Sequence, residues 1–459
     1  HGAGAHQGRP GGPGRRPPRP AALALAGLFL LLAAGLMALA ALGPGWPGVP
    51  GGPGTPPAAP PAGAGGDGQP GGGGAGPAPP APTGPTPQDE PAKAPASGSA
   101  PSPAGEPARS PTVTTLATGL EVPWGIAFDG RGRMFFTERP GRINLLEDGR
   151  VTRLLTLPDT VEVGESGLLG IALHPGFPDP PYLYVYQTYR ARGGGLVVNR
   201  VLRFRFQDDG SGGRPRLTGR QVIFDGIPAA SIHDGGALAF GPDGKLYVST
   251  GDARAAERAQ DPQSLHGKIL RLNPDGSIPA DNPLGPGNPV YSFGHRNPEG
   301  LAFDPASGRL YAVEHGPDAW DEVNRIEPGA NYGWPRAVDP RDHGAPFTRS
   351  LRSYDPIIAP AGAAFYRGPV AAWDGSLFFG TLGFAPDSPG RHLRRLQLDA
   401  TGTRVVAEEV LFKGVYGRIR AVAVGPDGCV YLGTSNRDGR GEPGPDDDRL
   451  LRLCAGPRP

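Results

Sequence analysis

The chain has 459 residues, with 45 Lys and Arg set against 44 Asp and Glu, and it carries 76 Gly and 59 Pro. The charges are interspersed with no basic stripe, which argues against a nucleic-acid binder. There is no Cys-x-x-Cys-His, so no covalently attached haem is expected.

Residues 1–20 form a short basic tail with Arg15, Arg16 and Arg19 at its end. Ala21 to Leu42 is uncharged and leucine-rich. As a helix it would be about 33 Å long, enough to cross a bilayer core. The arginines lie on its N-terminal side, so an inside N-terminus and an outside C-terminal region are expected. A cleaved signal peptide is the competing reading, and it would give a secreted protein. The run is long for that, and an uncleaved membrane anchor is favoured. Residues 43–112 are almost all Gly, Pro, Ala, Ser and Thr. Such a segment has too little apolar surface to offset its conformational entropy, and it reads as a disordered linker.

Residues 113–456 read differently. Six times a short apolar strand meets a Gly/Pro/Asp turn and then a second apolar strand. The first members are Gly125–Phe128, Gly170–Leu173, Ala237–Phe240, Gly300–Phe303, Gly362–Phe365 and Ala421–Val424. Two turns are nearly identical, Gly241-Pro242-Asp243-Gly244 and Gly425-Pro426-Asp427-Gly428. The copies recur roughly every 45–67 residues, in the range of propeller blades with loop insertions. Leu202 to Phe206 alternates apolar with Arg, the period of a strand with one solvated face. No convincing helical period follows residue 112. The expected fold is an all-β, six-bladed propeller. Cys429 and Cys454 both fall in its last repeat, where they either form a disulfide, tying the final strand to the blade beside it, or remain buried thiols.

Polar residues stand where the repeats begin. His233 precedes the third repeat, and Asp252 ends the strand after it. An imidazole can accept a proton near neutral pH, and a carboxylate beside it fixes its tautomer; a structural hydrogen bond is the bland alternative. Arg296 and Asn297 enter the fourth repeat, and Arg296 could stabilise negative charge on an oxygen or form a surface ion pair. Arg418 and Arg420 flank Ile419 and share one face of a strand. An anionic ligand with several carboxylates would relieve their repulsion, and separate pairing within the protein would do so too. Glu314 to Asp318, Asp321, Glu322 and Asn331 to Pro335 gather hard oxygen donors. These suit calcium, or simply solvation, and the spacing is not that of an EF-hand.

Together these runs resemble the soluble quinoprotein glucose/sorbosone dehydrogenase family over residues 115–453. The matching segments are Gly164–Gly170, His233–Gly236, Gly267–Asn273, Asp275–Pro279, Gly294–Gly300, Glu314–Pro317, Asn331–Pro335 and Gly417–Arg420. The resemblance implies a six-bladed propeller that uses pyrroloquinoline quinone (PQQ) and calcium. It implies oxidation of an aldose at its anomeric hydroxyl to the lactone, by hydride transfer to the quinone, with electrons leaving to a separate acceptor. By position, His233 matches the general base and Asp252 its supporting carboxylate. Arg296 and Asn297 match residues at the reactive carbonyl, and Arg418 and Arg420 match a cofactor-carboxylate clamp. Gly316 and Pro317 match the backbone ligands of the cofactor's calcium. Glu322, Tyr332 and Asp342 match ligands of a second, structural calcium. The chain departs from the glucose-oxidising members at Ile232, where they carry an acid, and at Glu165, where they carry a glutamine near the cofactor. Their cofactor lysine has no clear counterpart, and Arg391 is the residue placed to substitute. The alternative reading is a non-catalytic, membrane-tethered propeller that binds a polysaccharide or a protein.

Overall fold

The computed structural model describes residues 111–454, apart from 194–196, 209, 211–212 and 386. The candidate anchor and nearly all of the linker lie outside the described residues. Among the described residues no helix is long and apolar enough to cross a membrane.

The described chain folds into six antiparallel sheets of four strands each. The first strand of each sheet lines a common axis: Pro123–Phe128, Leu168–Leu173, Gly235–Phe240, Pro298–Phe303, Pro360–Tyr366 and Ile419–Val424. Each packs on the next, and the sixth packs on the first. A closed ring of six such sheets is a six-bladed propeller. The inner strands can approach closely because of glycine. A Cβ on Gly170 would stand 2.3 Å from the Gly236 carbonyl oxygen of the next blade.

Apolar residues fill the spaces between blades. Phe135 and Ile143 of blade one meet Leu168, Leu183, Val185 and Leu202 of blade two, all fully buried. Each contributes about 1.5–3 kcal/mol relative to exposure. In Leu202 to Phe206 the leucine and phenylalanines are buried, while the arginines between them face outward, as the alternation requires.

The two matching turns do matching work. Asp243 accepts from the Lys245 N–H, the Tyr247 hydroxyl and Arg271 Nε. Asp427 accepts from the Cys429 N–H, the Tyr431 hydroxyl and Arg452 Nε. One aspartate thus caps the turn and ties the second and third strands of its blade.

The ring is closed by the first strand in sequence. Thr112–Ala117 pairs with Leu450–Cys454, so blade six takes its outer strand from the N-terminal side of the propeller. Cys429 and Cys454 are bonded, with Cα atoms 4.6 Å apart. A bridge here is expected from the sequence to tie the final strand to the blade beside it. Val430 pairs with Leu453, so the bridge instead joins two adjacent strands within blade six.

Candidate active site

In each blade the inner strand starts at one end of the axis, and the next strand returns there. Residues just before an inner strand and just after its partner therefore share one mouth. His233 precedes Gly235–Phe240, Asp252 follows Leu246–Thr250, Arg296 and Asn297 precede Pro298–Phe303, and Arg418 and Arg420 open the inner strand of blade six.

The structure brings His233 and Asp252 together. His233 Nδ1 lies 2.7 Å from Asp252 Oδ1. Asp252 also accepts the Arg254 N–H at 2.8 Å and Trp334 Nε1–H at 2.9 Å. Burial pushes the Asp252 pKa up, but the His233 contact and these hydrogen bonds outweigh it, and the net shift is downward. An ionised Asp252 can only accept, so Nδ1 carries the proton and Nε2 carries the lone pair. Trp334 comes from the long connection of blade four, which runs beside the outer strand of blade three through the Phe293–Asn331 bridge.

Blade four joins the same constellation. The Asp252 N–H donates to the Arg296 carbonyl at 2.8 Å. The Asn297 side-chain oxygen accepts the Gly235 N–H at 3.0 Å, and its amide donates to Glu299 at 3.2 Å. The Arg296 guanidinium lies over the Trp334 ring at 5.3 Å, and its buried Nε has no hydrogen-bond partner among the described residues.

Arg418 and Arg420 are compensated from within. Asp438 Oδ2 lies 2.8 Å from Arg418 Nε and 3.5 Å from Arg420, and Glu299 lies 2.7 Å from Arg420. All four side chains are almost fully buried. Burial raises the Asp438 pKa, but the two guanidinium charges prevail and lower it. The repulsion that suggested an anionic ligand is thus relieved by the protein's own carboxylates. Arg391 differs: it is buried, and its Nε and one terminal nitrogen have no partner among the described residues. It sits beside Gly383, whose carbonyl accepts from Arg418. Glu165 has both carboxylate oxygens engaged, one by the His233 N–H at 2.9 Å and one by Arg440 at 2.8 Å.

Gly316, Pro317, Glu314, Glu322, Tyr332, Arg296 and Trp334 line one small void of about 20 Å³, large enough for one atom-sized group. Glu314 is satisfied by His295, Asn324 and the Arg296 N–H, and Asp321 by three backbone N–H groups. Among the described residues Glu322 has only Asn324 at 3.0 Å and His343 at 3.6 Å. Burial, then repulsion from Glu314, raises its pKa well above the carboxylate range. The Tyr332 hydroxyl donates to the Arg325 carbonyl instead of facing Glu322. Asp342 is exposed and does not line the void. Among the described residues, no group of three clustered Asp, Glu, His or Cys ligand atoms includes Glu322 or Asp342. The one group of that kind, Asp427 with Cys429 and Cys454, is tied up by the disulfide.

Sequence reasoning did not single out Asp438, Glu299 or Arg440, and it placed Trp334 only in the calcium loop. Asp438 and Arg440 lie in the connection after Val430–Thr434, a stretch with no period or repeat to mark them.

A ring of six blades with a His–Asp pair and buried arginines at its mouth defines a propeller with a candidate base and anion-binding groups at one end of its channel. Residues 120–452 match the family model described as glucose/sorbosone dehydrogenase, and the chain belongs to that family. The aldose sugar dehydrogenase YliI of Escherichia coli strain K12 is 31% identical over 351 residues, covering 71% of this chain and 91% of that protein. The quinoprotein glucose dehydrogenase B of Acinetobacter calcoaceticus is 34% identical over 255 residues, covering 50% of this chain and 53% of that protein. Among solved structures, the PQQ-bound aldose sugar dehydrogenase of Streptomyces coelicolor is 39% identical with a TM-score of 0.66, covering 76% of this chain and 99% of that one.

Proposed function

We propose that the protein is a PQQ- and calcium-dependent dehydrogenase that oxidises the anomeric hydroxyl of an aldose to the lactone. The observation that carries this reading is His233, held at Nδ1 by a buried, ionised Asp252 and thereby left with a basic Nε2 at the channel mouth. Family membership and the PQQ-bound relative support it.

The donor set fits an anionic quinone. Arg391 and Arg296 both have buried guanidinium nitrogens without partners among the described residues, and an unpaired buried donor is costly unless a ligand meets it. Arg391 would hold a cofactor carboxylate, and Arg418 and Arg420 would lie beside it. The void under Arg296 fits a hard cation: its oxygen lining includes Glu322, which lacks a charge partner of its own strength, with Gly316 and Pro317 alongside. When bound, the quinone supplies a two-electron acceptor, and calcium polarises it as a Lewis acid.

His233 Nε2 takes the proton of the substrate hydroxyl. Asp252 stabilises the imidazolium that forms, and Trp334 fixes Asp252. Arg296 stabilises negative charge developing on an oxygen at the mouth. Glu322 lines the same void as Gly316 and Pro317, and a second calcium held by Glu322, Tyr332 and Asp342 is supported by position in the sequence alone. So are the membrane anchor at residues 21–42, a propeller outside the cell and a separate electron acceptor. A purely ligand-binding propeller has no use for a base so elaborately supported. Dye reduction by protein reconstituted with PQQ and calcium, over a panel of aldoses and alcohols, tests the reading; bound cofactor with no turnover on any of them would sink it.

A further inference from the structure

We propose that Glu165 is a positioning residue for the base: its carboxylate fixes the His233 backbone and links it to Arg440. The inference rests on the reading of His233 as the base. His233 has φ 65°, the left-handed region, which a residue with a Cβ adopts at a cost of about 1–3 kcal/mol. That conformation must be held from outside. Glu165 Oε2 accepts the His233 N–H at 2.9 Å. The His233 carbonyl accepts the Ala253 N–H at 3.1 Å. Gly251 packs so closely that a Cβ on it would stand 1.8 Å from the His233 oxygen.

The two loops are also bonded in the reverse sense, since the Glu165 N–H donates to the Ser231 carbonyl at 2.9 Å. The second carboxylate oxygen of Glu165 accepts from Arg440 at 2.8 Å, on the connection that follows Val430–Thr434 in blade six. That same connection carries Asp438 onto Arg418 and Arg420. Blade six is therefore tied to the backbone of the base through one carboxylate. A cofactor contact at Glu165 is disfavoured on two grounds. Both its oxygens already have protein donors, and a carboxylate repels an anionic quinone.

The test uses Glu165→Ala, Glu165→Gln and Arg440→Ala in the full chain. Three quantities are read: kcat and KM at saturating PQQ and calcium, the PQQ dissociation constant by absorbance titration, and amide hydrogen exchange over residues 229–236. Glu165→Ala is expected to lower kcat about tenfold or more, to leave the PQQ constant within about threefold, and to speed exchange at His233. Glu165→Gln keeps an oxygen for the His233 N–H and is expected to restore kcat to within about threefold. Arg440→Ala alters an exposed side chain that is safe for folding, and is expected to speed the same exchange to a smaller degree. Unchanged exchange in both Glu165→Ala and Arg440→Ala overturns the proposal. So does a PQQ constant raised about tenfold in Glu165→Ala with kcat at saturation unchanged. Exchange is read without cofactor, so a wild-type protein that binds no PQQ would contradict the enzymatic reading while leaving this link separately testable.

Discussion

The carboxylate of Asp438 lies 2.8 Å from Nε of Arg418, with both side chains 2% exposed. It also faces Arg420 and so serves both arginines as an internal counter-charge. Two outcomes are expected of Asp438→Asn, and they run in opposite directions. The cofactor-free protein should lose about 3 kcal/mol in urea unfolding, because two buried guanidinium groups lose a shared anion. PQQ should bind about tenfold more tightly by titration, because a competing charge is gone. Loss of both stability and affinity would show that Asp438 helps to hold the cofactor.

Asp252 acts on the base through one atom, Nδ1 of His233. Asp252→Asn offers an amide that can donate to Nδ1 and so favours the unproductive tautomer. Steady-state kinetics should show kcat lower by about a thousandfold with PQQ affinity kept. Trp334→Phe removes one hydrogen bond to Asp252 Oδ2 and should cost about tenfold in kcat.

Asp234 gives the stability a pH dependence of known sign. Its Oδ1 accepts from Asn199 and the Ala230 N–H, while its buried Oδ2 has no partner among the described residues. Burial is the main cause that raises its pKa to about 7 from 3.8. Between those values the folded state holds the proton and the unfolded state releases it. This group's contribution is therefore full below the lower value and is lost as pH rises to the higher one. Asp234→Asn should remove that loss. In urea titrations at pH 5 and pH 7, the variant should gain on the wild type by about 1.4 kcal/mol per pH unit.

The disulfide of blade six backs the strand that pairs with Thr112–Ala117 and closes the ring. It spans 25 residues of sequence, and in the chain-entropy model its removal costs about 3.5 kcal/mol. Cys429→Ser with Cys454→Ser should lower the unfolding midpoint accordingly and speed amide exchange in residues 112–117 first.

Much of the fold was legible because blade repetition is written in the chain. Ala237–Phe240 and Ala421–Val424 each run into a Gly-Pro-Asp-Gly turn, and each forms an inner strand as expected. The closing strand was not legible. Thr112–Ala117 carries only Val113, Leu116 and Ala117 as apolar residues, too short a pattern to announce a partner more than 330 residues away, and pairing at that range leaves no local mark. His233, Asp252, Arg296 and Asn297 were legible by their places beside repeats and by family resemblance. The compensation of Arg418 and Arg420 was not, because Asp438 comes from a loop of blade six and Glu299 from the inner strand of blade four, and they meet only in the folded ring.

The most direct measurement is an absorbance titration of PQQ into the recombinant protein with calcium present, repeated with Arg391→Ala. Arg391 has two buried guanidinium nitrogens that lack a partner among the described residues, so binding should be micromolar or tighter and should weaken about tenfold or more in the variant. No binding by the wild-type protein in the presence of calcium, or binding that Arg391→Ala leaves unchanged, would contradict the proposed site.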